Sequence, residues 1–244
     1  MKGKLLAAIA CLALVSCSKP YMEPPFGGMK GRVQEVKIWH MMPEMWHAGL
    51  TESDIYYINS AMYDFQGHEI ASAVMDNTER IERETENRFS GDICVQSTLK
   101  SGGKTVSRLR FLSKDGGTTR YEKTIGNAST VMTVHESSFL RRHKSTVKED
   151  GVETQRSITV TDHNGLPKKI VSVDPKNGNT TVEKNLFDEN GNIIQKVVIN
   201  NGEADDTLTY QYFGFDDHGN WTEARTFNFK VLPVEVIQRE IKYW

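Results

Sequence analysis

The sequence predicts an all-β protein, an antiparallel meander built from repeated hairpins. Short stretches alternate Val, Ile, Thr, Tyr or Phe with polar residues, which is the period-two pattern of half-buried strands. Phrases that contain Asp and Gly interrupt these stretches at regular intervals. The interruptions leave no room for the long crossover connections that parallel strands require, so the strands must run antiparallel.

The interrupting phrase has the form Asp-x-x-Gly and is clearest at 215–221, which reads FDDHGNW. Its Asp can accept hydrogen bonds from backbone amides further along the turn. Its Gly can take the left-handed conformation that closes a type I turn with a bulge. We therefore predict four tight turns at these pairs: Asp64 and Gly67, Asp162 and Gly165, Asp188 and Gly191, and Asp216 and Gly219. The acidic cluster at 216–218 is thus interpreted as a turn and not as a metal site.

The spacing of these turns predicts the architecture. Gly165, Gly191 and Gly219 are separated by 26 and 28 residues, and the 98 residues from Gly67 to Gly165 are close to four such steps. One hairpin repeated about seven times would form one continuous sheet. Because so wide a sheet twists and curls, we expect an open half-barrel, with a closed barrel as the alternative. A membrane-spanning barrel is not expected, because the strands lack a regular apolar outer face.

The first residues read as a secretory signal. Lys2 and Lys4 precede an apolar run that is too short to span a membrane. The run ends in Leu-Val-Ser-Cys, at residues 14–17, which resembles the lipobox of bacterial lipoproteins. The resemblance implies that residues 1–16 are removed and that Cys17 carries the lipid. Several acyl chains hold a protein on a bilayer where a single chain would not.

The lipobox resemblance also implies a location and a domain organisation. Ser18 follows the lipidated position, which in lipoprotein sorting favours the outer membrane, and no acidic run follows it to mark surface display. We therefore expect the protein to face the periplasm rather than the cell surface. Residues 17–29 are rich in Pro and Gly and predict a flexible tether, and residues 30–244 predict one β domain.

The turn phrases resemble the YD repeats of RHS-like proteins. They are more similar to a group of tandem-hairpin lipoproteins from Gram-negative anaerobes, in which a lipobox precedes a strand like residues 30–37. The resemblance covers most of residues 30–244 and is clearest in the last third. That group has no assigned activity, so the resemblance implies an envelope lipoprotein and no particular chemistry.

Charge and cysteine content exclude several function classes. The net charge of −2 and the scatter of Lys and Arg predict no nucleic-acid partner. The one basic cluster, residues 141–144, is expected to be a solvated turn or strand face. Cys11 would leave with the signal and Cys17 would carry lipid, so Cys94 has no disulfide partner and is expected to be buried.

The segment 39–47 is the strongest candidate for a metal site. Its imidazoles and thioethers are soft ligands that would suit copper(I): His40, Met41, Met42, Met45 and His47. Packing of the same residues over one end of the sheet is the favoured interpretation, because Met fills irregular gaps. We therefore predict no metal and no cofactor.

The sequence offers no catalytic motif and one modification motif. No nucleophile elbow, zinc-protease helix or phosphate-binding loop is present, so we predict a non-enzyme, with a hydrolase the least favoured class. Residues 206–208 match an Asp-Thr-apolar sequon for O-glycosylation. The resemblance to the tandem-hairpin lipoproteins implies that envelope proteins of the same bacteria use this sequon. Thr207 is therefore a candidate O-glycosylation site.

Two functional interpretations follow. The first is a binding or scaffolding lipoprotein whose partner is an envelope protein or glycan. Its aromatic surface would come from Tyr210, Tyr212, Phe213, Phe215 and Trp221. The alternative is a carrier that holds a lipid or metal inside the curled sheet.

Overall fold

A computed structural model describes residues 29–43 and 55–244, which form sixteen β-strands. The first eight strands are β1 (Val33–Met41), β2 (Ile55–Tyr63), β3 (Glu69–Met75), β4 (Ile81–Ser90), β5 (Ile93–Ser101), β6 (Lys104–Asp115), β7 (Thr118–Ile125) and β8 (Ala128–Phe139). The other eight are β9 (Arg142–Glu149), β10 (Val152–Thr161), β11 (Pro167–Val173), β12 (Thr180–Phe187), β13 (Ile193–Asn200), β14 (Glu203–Phe215), β15 (Trp221–Phe227) and β16 (Pro233–Tyr243). Among the described residues, no helix has the length and apolar character needed to cross a membrane.

The sheet closes into a barrel. Each strand pairs antiparallel with its neighbour in sequence, and β1 pairs with β16 from Val33 opposite Tyr243 to Met41 opposite Val236. The expected open half-barrel is therefore wrong, and the closed barrel is the architecture. Closure gives both terminal strands a second hydrogen-bonded neighbour, which removes the unpaired backbone groups that an open sheet would expose at its two edges.

The barrel has two rims that differ in their turns. We call the end where β1 begins and β16 ends the terminal rim; the turns that follow the even-numbered strands lie there. The other end is the opposite rim. Strands β2 to β15 form seven hairpins whose turns lie at the terminal rim, and β1 with β16 completes the ring.

All four Asp-x-x-Gly turns lie at the terminal rim and share one geometry. In each, the Gly amide donates to the Asp carbonyl oxygen, and the Gly has φ between 75° and 89°. The Asp Oδ1 accepts from the amides two and four residues further on, as Asp188 does from Asn190 (2.9 Å) and Asn192 (2.8 Å). Each turn is thus stabilised by its own residues.

The outward face of the barrel is charged. Cross-strand ion pairs lie on it, such as Lys100 with Glu86 (2.6 Å) and Arg110 with Glu122 (2.8 Å). A further pair, Lys242 with Glu35 (2.8 Å), crosses the β1–β16 seam. Their exposure makes each pair a small contribution to stability.

Among the residues that the structure describes, the interior contains two separate apolar clusters on opposite sides of the ring. The first joins β1, β2, β15 and β16 through Val36, Ile38, Ala61, Tyr63, Trp221, Ala224 and Ile237. The second joins β6 to β9 through Leu109, Tyr121, Met132, Val134 and Val147. Between them the inward positions of β10 to β13 are largely polar, as shown by the ion pair between Glu183 and Lys196 (2.9 Å).

The turn at 216–220 joins the two terminal strands. Asn220 accepts from the Lys30 amide (2.7 Å) through Oδ1 and donates to the Lys30 carbonyl (2.9 Å) through Nδ2. The Tyr243 hydroxyl donates to Asp216 Oδ2. Burial alone would raise the pKa of Asp216, but hydrogen bonds from Tyr243 and from the amides of Asn220 and His218 lower it. Burial, reinforced by Asp216, raises the pKa of Tyr243 to about 12.

Trp221 packs beneath this hydrogen-bond network. The side chain is only 3% exposed, and the Arg239 guanidinium lies 3.6 Å from its ring centroid. Arg239 also donates from Nε to the Trp221 carbonyl oxygen. Burial lowers the pKa of Arg239 to about 10 even though Asp216 acts in the other direction. The guanidinium therefore remains charged at neutral pH and is held by the indole face.

Candidate functional site

The best candidate site is a cavity inside the barrel. It has a volume of about 140 Å³ and lies beside the ends of β1 and β16 that approach the opposite rim. Its lining is mostly aromatic: His40, Tyr57, Tyr210, Tyr212, Trp221, Ala224, Glu235 and Ile237. Cavities of this kind, apolar with a few polar groups, are the usual form of small-ligand sites, although most are larger than this one.

His40 and Glu235 form the polar part of the cavity wall. The His40 side chain is almost fully buried, and its Nδ1 lies 2.7 Å from Glu235 Oε1. The Asn59 amide donates to Nε2 (3.2 Å), so the proton lies on Nδ1 and is donated to the carboxylate. Tyr57 stacks on the imidazole at 3.9 Å between ring centroids. Both ring nitrogens are therefore engaged and the ring is fixed in orientation.

Two phenols complete the hydrogen bonding around Glu235. The Tyr56 hydroxyl donates to the same Oε1 at 2.5 Å. Burial, and then the charge of Glu235, raise the pKa of Tyr56 and of Tyr57. Both phenols therefore stay protonated at neutral pH. The Glu235 carboxylate thus accepts hydrogen bonds from both an imidazole and a phenol.

Thr226 adds an unsatisfied group next to the cavity. It lies between Tyr210 on β14 and Glu235 on β16, which are its direct cross-strand neighbours. The side chain is buried, and its Oγ1 has no hydrogen-bond partner among the described residues. A buried hydroxyl without a partner costs free energy, but Thr226 is not among the residues that line the cavity.

The candidate metal ligands do not converge in the described part of the chain. His40 and Met41 are adjacent in β1 and so point to opposite faces, and Met42 is exposed beyond the strand. Met45 and His47 lie outside the described residues. Within residues 29–43 and 55–244, no three His, Cys, Asp or Glu side chains are grouped as metal ligands.

The structure corrects the predicted aromatic surface. Tyr210, Tyr212 and Trp221 do not face a partner from the outside, because they line the internal cavity. Phe213 and Phe215 are exposed, and the Arg225 guanidinium lies 4.3 Å from the Phe213 ring centroid. The alternation along β14 explains the split, since successive strand residues face opposite sides of the sheet.

Two of the remaining predicted sites, Thr207 and Cys94, lie in the described part of the chain. Thr207 lies mid-strand on β14 opposite Val197, on the outward face. Cys94 is buried, and its thiol is 3.4 Å from the Gln96 carbonyl oxygen. The lipidation site Cys17, the signal at 1–16 and the tether up to residue 28 lie outside the described residues.

Sequence reasoning missed the partners of His40. Glu235 lies 195 residues away in the chain, and it meets His40 only because β1 pairs with β16. No local pattern marks Glu235 or Tyr56 as site residues. The one available signal was the alternative of a closed barrel, which would have placed the two terminal strands side by side.

Comparison with known proteins supports the fold alone. No family model matches the chain, and no curated protein matches it either. The chain is similar to the crystal structure of a porin-like protein from Bacteroides uniformis, with a TM-score of 0.51 and 12% identity over 88% of this chain and 99% of that one. At this identity the likeness establishes a shared barrel fold and nothing about function.

Two further solved structures are more distant. A porin-like protein from Bacteroides vulgatus aligns with a TM-score of 0.43 and 11% identity over 88% of this chain and 99% of that chain. A LolA superfamily protein, NE2245 from Nitrosomonas europaea, aligns with a TM-score of 0.24 and 13% identity over 96% of this chain and 93% of that chain. Neither carries an argument about this protein.

Proposed function

We propose that the protein is an outer-membrane lipoprotein whose barrel stands in water and binds another envelope molecule, preferentially a protein, at its opposite rim. The observation that carries this proposal is an exposed apolar patch at that rim, next to the cavity. We call it the opposite-rim patch, and it consists of Met42, Tyr56, Phe229, Val231, Leu232 and Val234. Clusters of exposed apolar side chains on soluble proteins mark interaction sites.

The turn at 228–232 supplies half of the patch and contains a residue whose backbone conformation is unfavourable. Asn228 Oδ1 accepts from the Lys230 amide (3.0 Å) and the Leu232 amide (3.1 Å), as the Asp does in the terminal-rim turns. Val231 occupies the Gly position with φ of 60° and is 75% exposed. A β-branched residue is strongly disfavoured in this conformation. An exposed Val at this position lowers the stability of the fold, and we attribute its presence to binding of a partner.

The outward charges support a barrel that stands in water. A membrane barrel needs an apolar band around its outer face, whereas this one carries ion pairs such as Arg110 with Glu122 at mid-strand. Attachment to the bilayer is then left to Cys17 and the tether. The Ser18 rule described above supports the outer membrane, with the barrel facing the periplasm rather than the cell surface.

The repeated Asp-x-x-Gly hairpins support kinship with the tandem-hairpin, YD-like lipoproteins, which remains part of the proposal. A non-enzymatic role is supported by the cavity itself. His40 and Glu235 are hydrogen-bonded to each other, and the Tyr56 hydroxyl donates a hydrogen bond to the same carboxylate oxygen. A substrate would have to displace these partners before either group could act on it.

A small-ligand carrier is the second candidate, and the cavity lined by His40, Tyr57 and Glu235 favours it. The cavity volume of about 140 Å³ is similar to that of engineered cavities that hold a benzene molecule. It is too small for a lipid, so the carrier interpretation narrows to a small polar ligand.

Capture from detergent-solubilised membranes tests the binding role. Full-length tagged protein should recover a partner that a Phe229→Ser, Val231→Gly variant loses, because that variant removes the centre of the opposite-rim patch. The matched control is Phe139→Ser, Leu140→Gly, which likewise replaces a Phe by Ser and an apolar left-handed residue by Gly in an exposed turn at the terminal rim, and it should recover the partner. A partner that the opposite-rim variant still recovers would contradict the proposal. A small bound ligand in native mass spectrometry, with no partner recovered, would support the carrier instead; recovery of a glycan would change the partner class.

Incorporation of labelled palmitate tests the anchor. The parent should become labelled and Cys17→Ala should not, because the thiol of Cys17 is the proposed lipid acceptor. Equal labelling of the two proteins would refute the lipoprotein assignment while leaving the rim proposal standing.

A further inference from the structure

The hairpin tip between β8 and β9 is the most exposed apolar feature of the terminal rim. Phe139 is 78% exposed and Leu140 is 88% exposed. Leu140 has φ of 54°, a left-handed conformation that at the other terminal-rim turns named above belongs to Gly. The sequence thus places a large apolar residue where a Gly would fold more readily. Nothing else in the described residues covers either side chain.

Cations surround this apolar tip. Arg141 continues the turn, Arg142 pairs directly with Phe139 across the hairpin, and Lys144 follows on the same outward face. All three side chains are exposed. The neighbouring turns contribute one Asp each, Asp115 and Asp162. The hairpin is therefore a local cationic patch around an apolar point.

The attachment of the tether lies at the same rim. The described chain starts at Met29 and enters β1 at the terminal rim. If Cys17 is the anchor, the intervening residues span about 20 Å as a flexible chain and at most about 40 Å when extended. The terminal rim is then the end of the barrel that approaches the bilayer, and the β8–β9 tip lies across the ring from the tether.

We propose that the β8–β9 tip is a second membrane contact, which inserts Phe139 and Leu140 into an anionic bilayer surface while Arg141, Arg142 and Lys144 contact lipid phosphates. Apolar side chains partition into the headgroup boundary and flanking cations are attracted to anionic lipids, so the two effects add. This inference rests on the proposed membrane location of the protein. It goes beyond the lipid anchor, because it fixes the barrel at two points and sets its orientation.

The opposite-rim turn at 228–232 provides the comparison that isolates charge and position. It also exposes a Phe and an apolar residue in the left-handed conformation. Its cation is Lys230, whose Nζ lies 5.4 Å from the Phe229 ring centroid. If apolar exposure alone drove membrane contact, both tips would bind. If the cations and the rim matter, only the β8–β9 tip will.

Vesicle co-sedimentation tests the inference without the anchor. The protein is the chain from residue 18 onward, which contains every described residue of the barrel but has no lipid. It should bind vesicles of phosphatidylethanolamine and phosphatidylglycerol, and should bind phosphatidylcholine vesicles at least about tenfold more weakly, because each cation near an anionic surface contributes about fivefold. Salt should weaken this binding. Failure of anchoring would not affect the result, so the two proposals fail separately.

Three variants decide the outcome. Phe139→Ser, Leu140→Gly should lower the partition coefficient about tenfold or more, because it removes the inserted surface. Arg141→Gln, Arg142→Gln should lose a similar factor on anionic vesicles and little on neutral ones. Phe229→Ser, Val231→Gly should bind like the parent. Equal loss in the opposite-rim variant, no difference between the two lipid compositions, or no vesicle binding by the parent would each overturn the proposal, and the last result would favour a protein partner for this tip. Unchanged circular dichroism in each variant shows that the barrel is retained.

Discussion

The two rims of this barrel contain turns with the same hydrogen bonds but with different residues in the left-handed position. At the terminal rim, the Asp-x-x-Gly turns satisfy their own backbone groups and keep Gly in the left-handed position, although Phe65, Leu186, Phe215 and Trp244 are exposed in or near them. The tip at Phe139 and Leu140 is more exposed and places Leu140 in the left-handed position. At the opposite rim, the turn at 228–232 has the same hydrogen bonds but carries Val in the place of Gly. Where a turn departs from the stable choice and exposes an apolar residue, folding no longer explains the residue. These departures are where interaction should be sought.

The largest expected effect lies at the closure of the terminal rim. Trp221→Ala should lower the free energy of unfolding by about 3–5 kcal/mol, because it empties a buried site and leaves the Arg239 guanidinium without its aromatic partner. Urea denaturation followed by circular dichroism measures the loss. Phe213→Ala, on the outward face, is the control and should cost far less. Equal costs would mean that the Trp221 cluster does not hold the barrel closed.

Asn220 and Asn192 occupy equivalent positions in two turns but have different hydrogen-bond partners. Asn220→Ala should cost about 2 kcal/mol, since it removes two hydrogen bonds to the backbone of Lys30 and one to the Tyr243 hydroxyl, which tie the turn to β1 and β16. Asn192 occupies the same place in the turn at 188–192, where its amide reaches only the Asp188 carboxylate (2.9 Å). Asn192→Ala should therefore cost less than half as much in the same denaturation experiment. Equal losses would show that Asn220 only supports its own turn.

The pH dependence of stability should distinguish Asp216. Its pKa is lowered in the folded protein, so the carboxylate stabilises the fold above its unfolded pKa of about 4 and this contribution is lost as pH falls through the lower folded value. Asp216→Asn should thus be less stable than the parent by about 1 kcal/mol at neutral pH. The difference should shrink below pH of about 4. A difference that stays constant with pH would show that the charge of Asp216 is not involved.

The smallest effect has the opposite sign and compares the two exposed tips. Leu140→Gly and Val231→Gly should each raise the free energy of unfolding by about 0.5–1 kcal/mol, with the larger gain for the β-branched Val. Thermal denaturation in the absence of lipid or partner measures it. Loss of stability in either variant would mean that the apolar side chain supports the fold, which would remove the main reason to assign it to an interface.

Local chemistry explains which features could be predicted from sequence. The turns at Asp64, Asp162, Asp188 and Asp216 depend on residues a few positions apart, so the printed phrases suffice to locate them. The alternating strands likewise carry their own pattern. Closure depends on the pairing of β1 with β16, between strands that lie at the two ends of the barrel domain. No local pattern encodes that pairing, so the sequence alone favoured an open sheet.

The dependence on distant strand pairing also explains why the partners of His40 could not be predicted. His40 was singled out for its soft-ligand neighbours, yet its true partners are Asn59 and Glu235, which reach it from the two adjacent strands. Tyr210 and Tyr212 were expected on the surface because a strand pattern gives the alternation of faces but not which face is inside. In the structure the ring curls so that these two tyrosines line its interior.

The central claim, that the two rims face different surroundings, is tested most directly by a polarity-sensitive fluorophore on each tip of the full-length, lipid-anchored protein in proteoliposomes that contain phosphatidylglycerol. The probe is attached at Leu140→Cys or at Val231→Cys; the proposed thioether at Cys17 and the burial of Cys94 keep it off the native cysteines. We expect a blue-shifted emission that lipid-borne quenchers suppress at position 140, and water-like, unquenched emission at position 231. Equal emission and quenching at the two positions, or quenching at 231 alone, would contradict it.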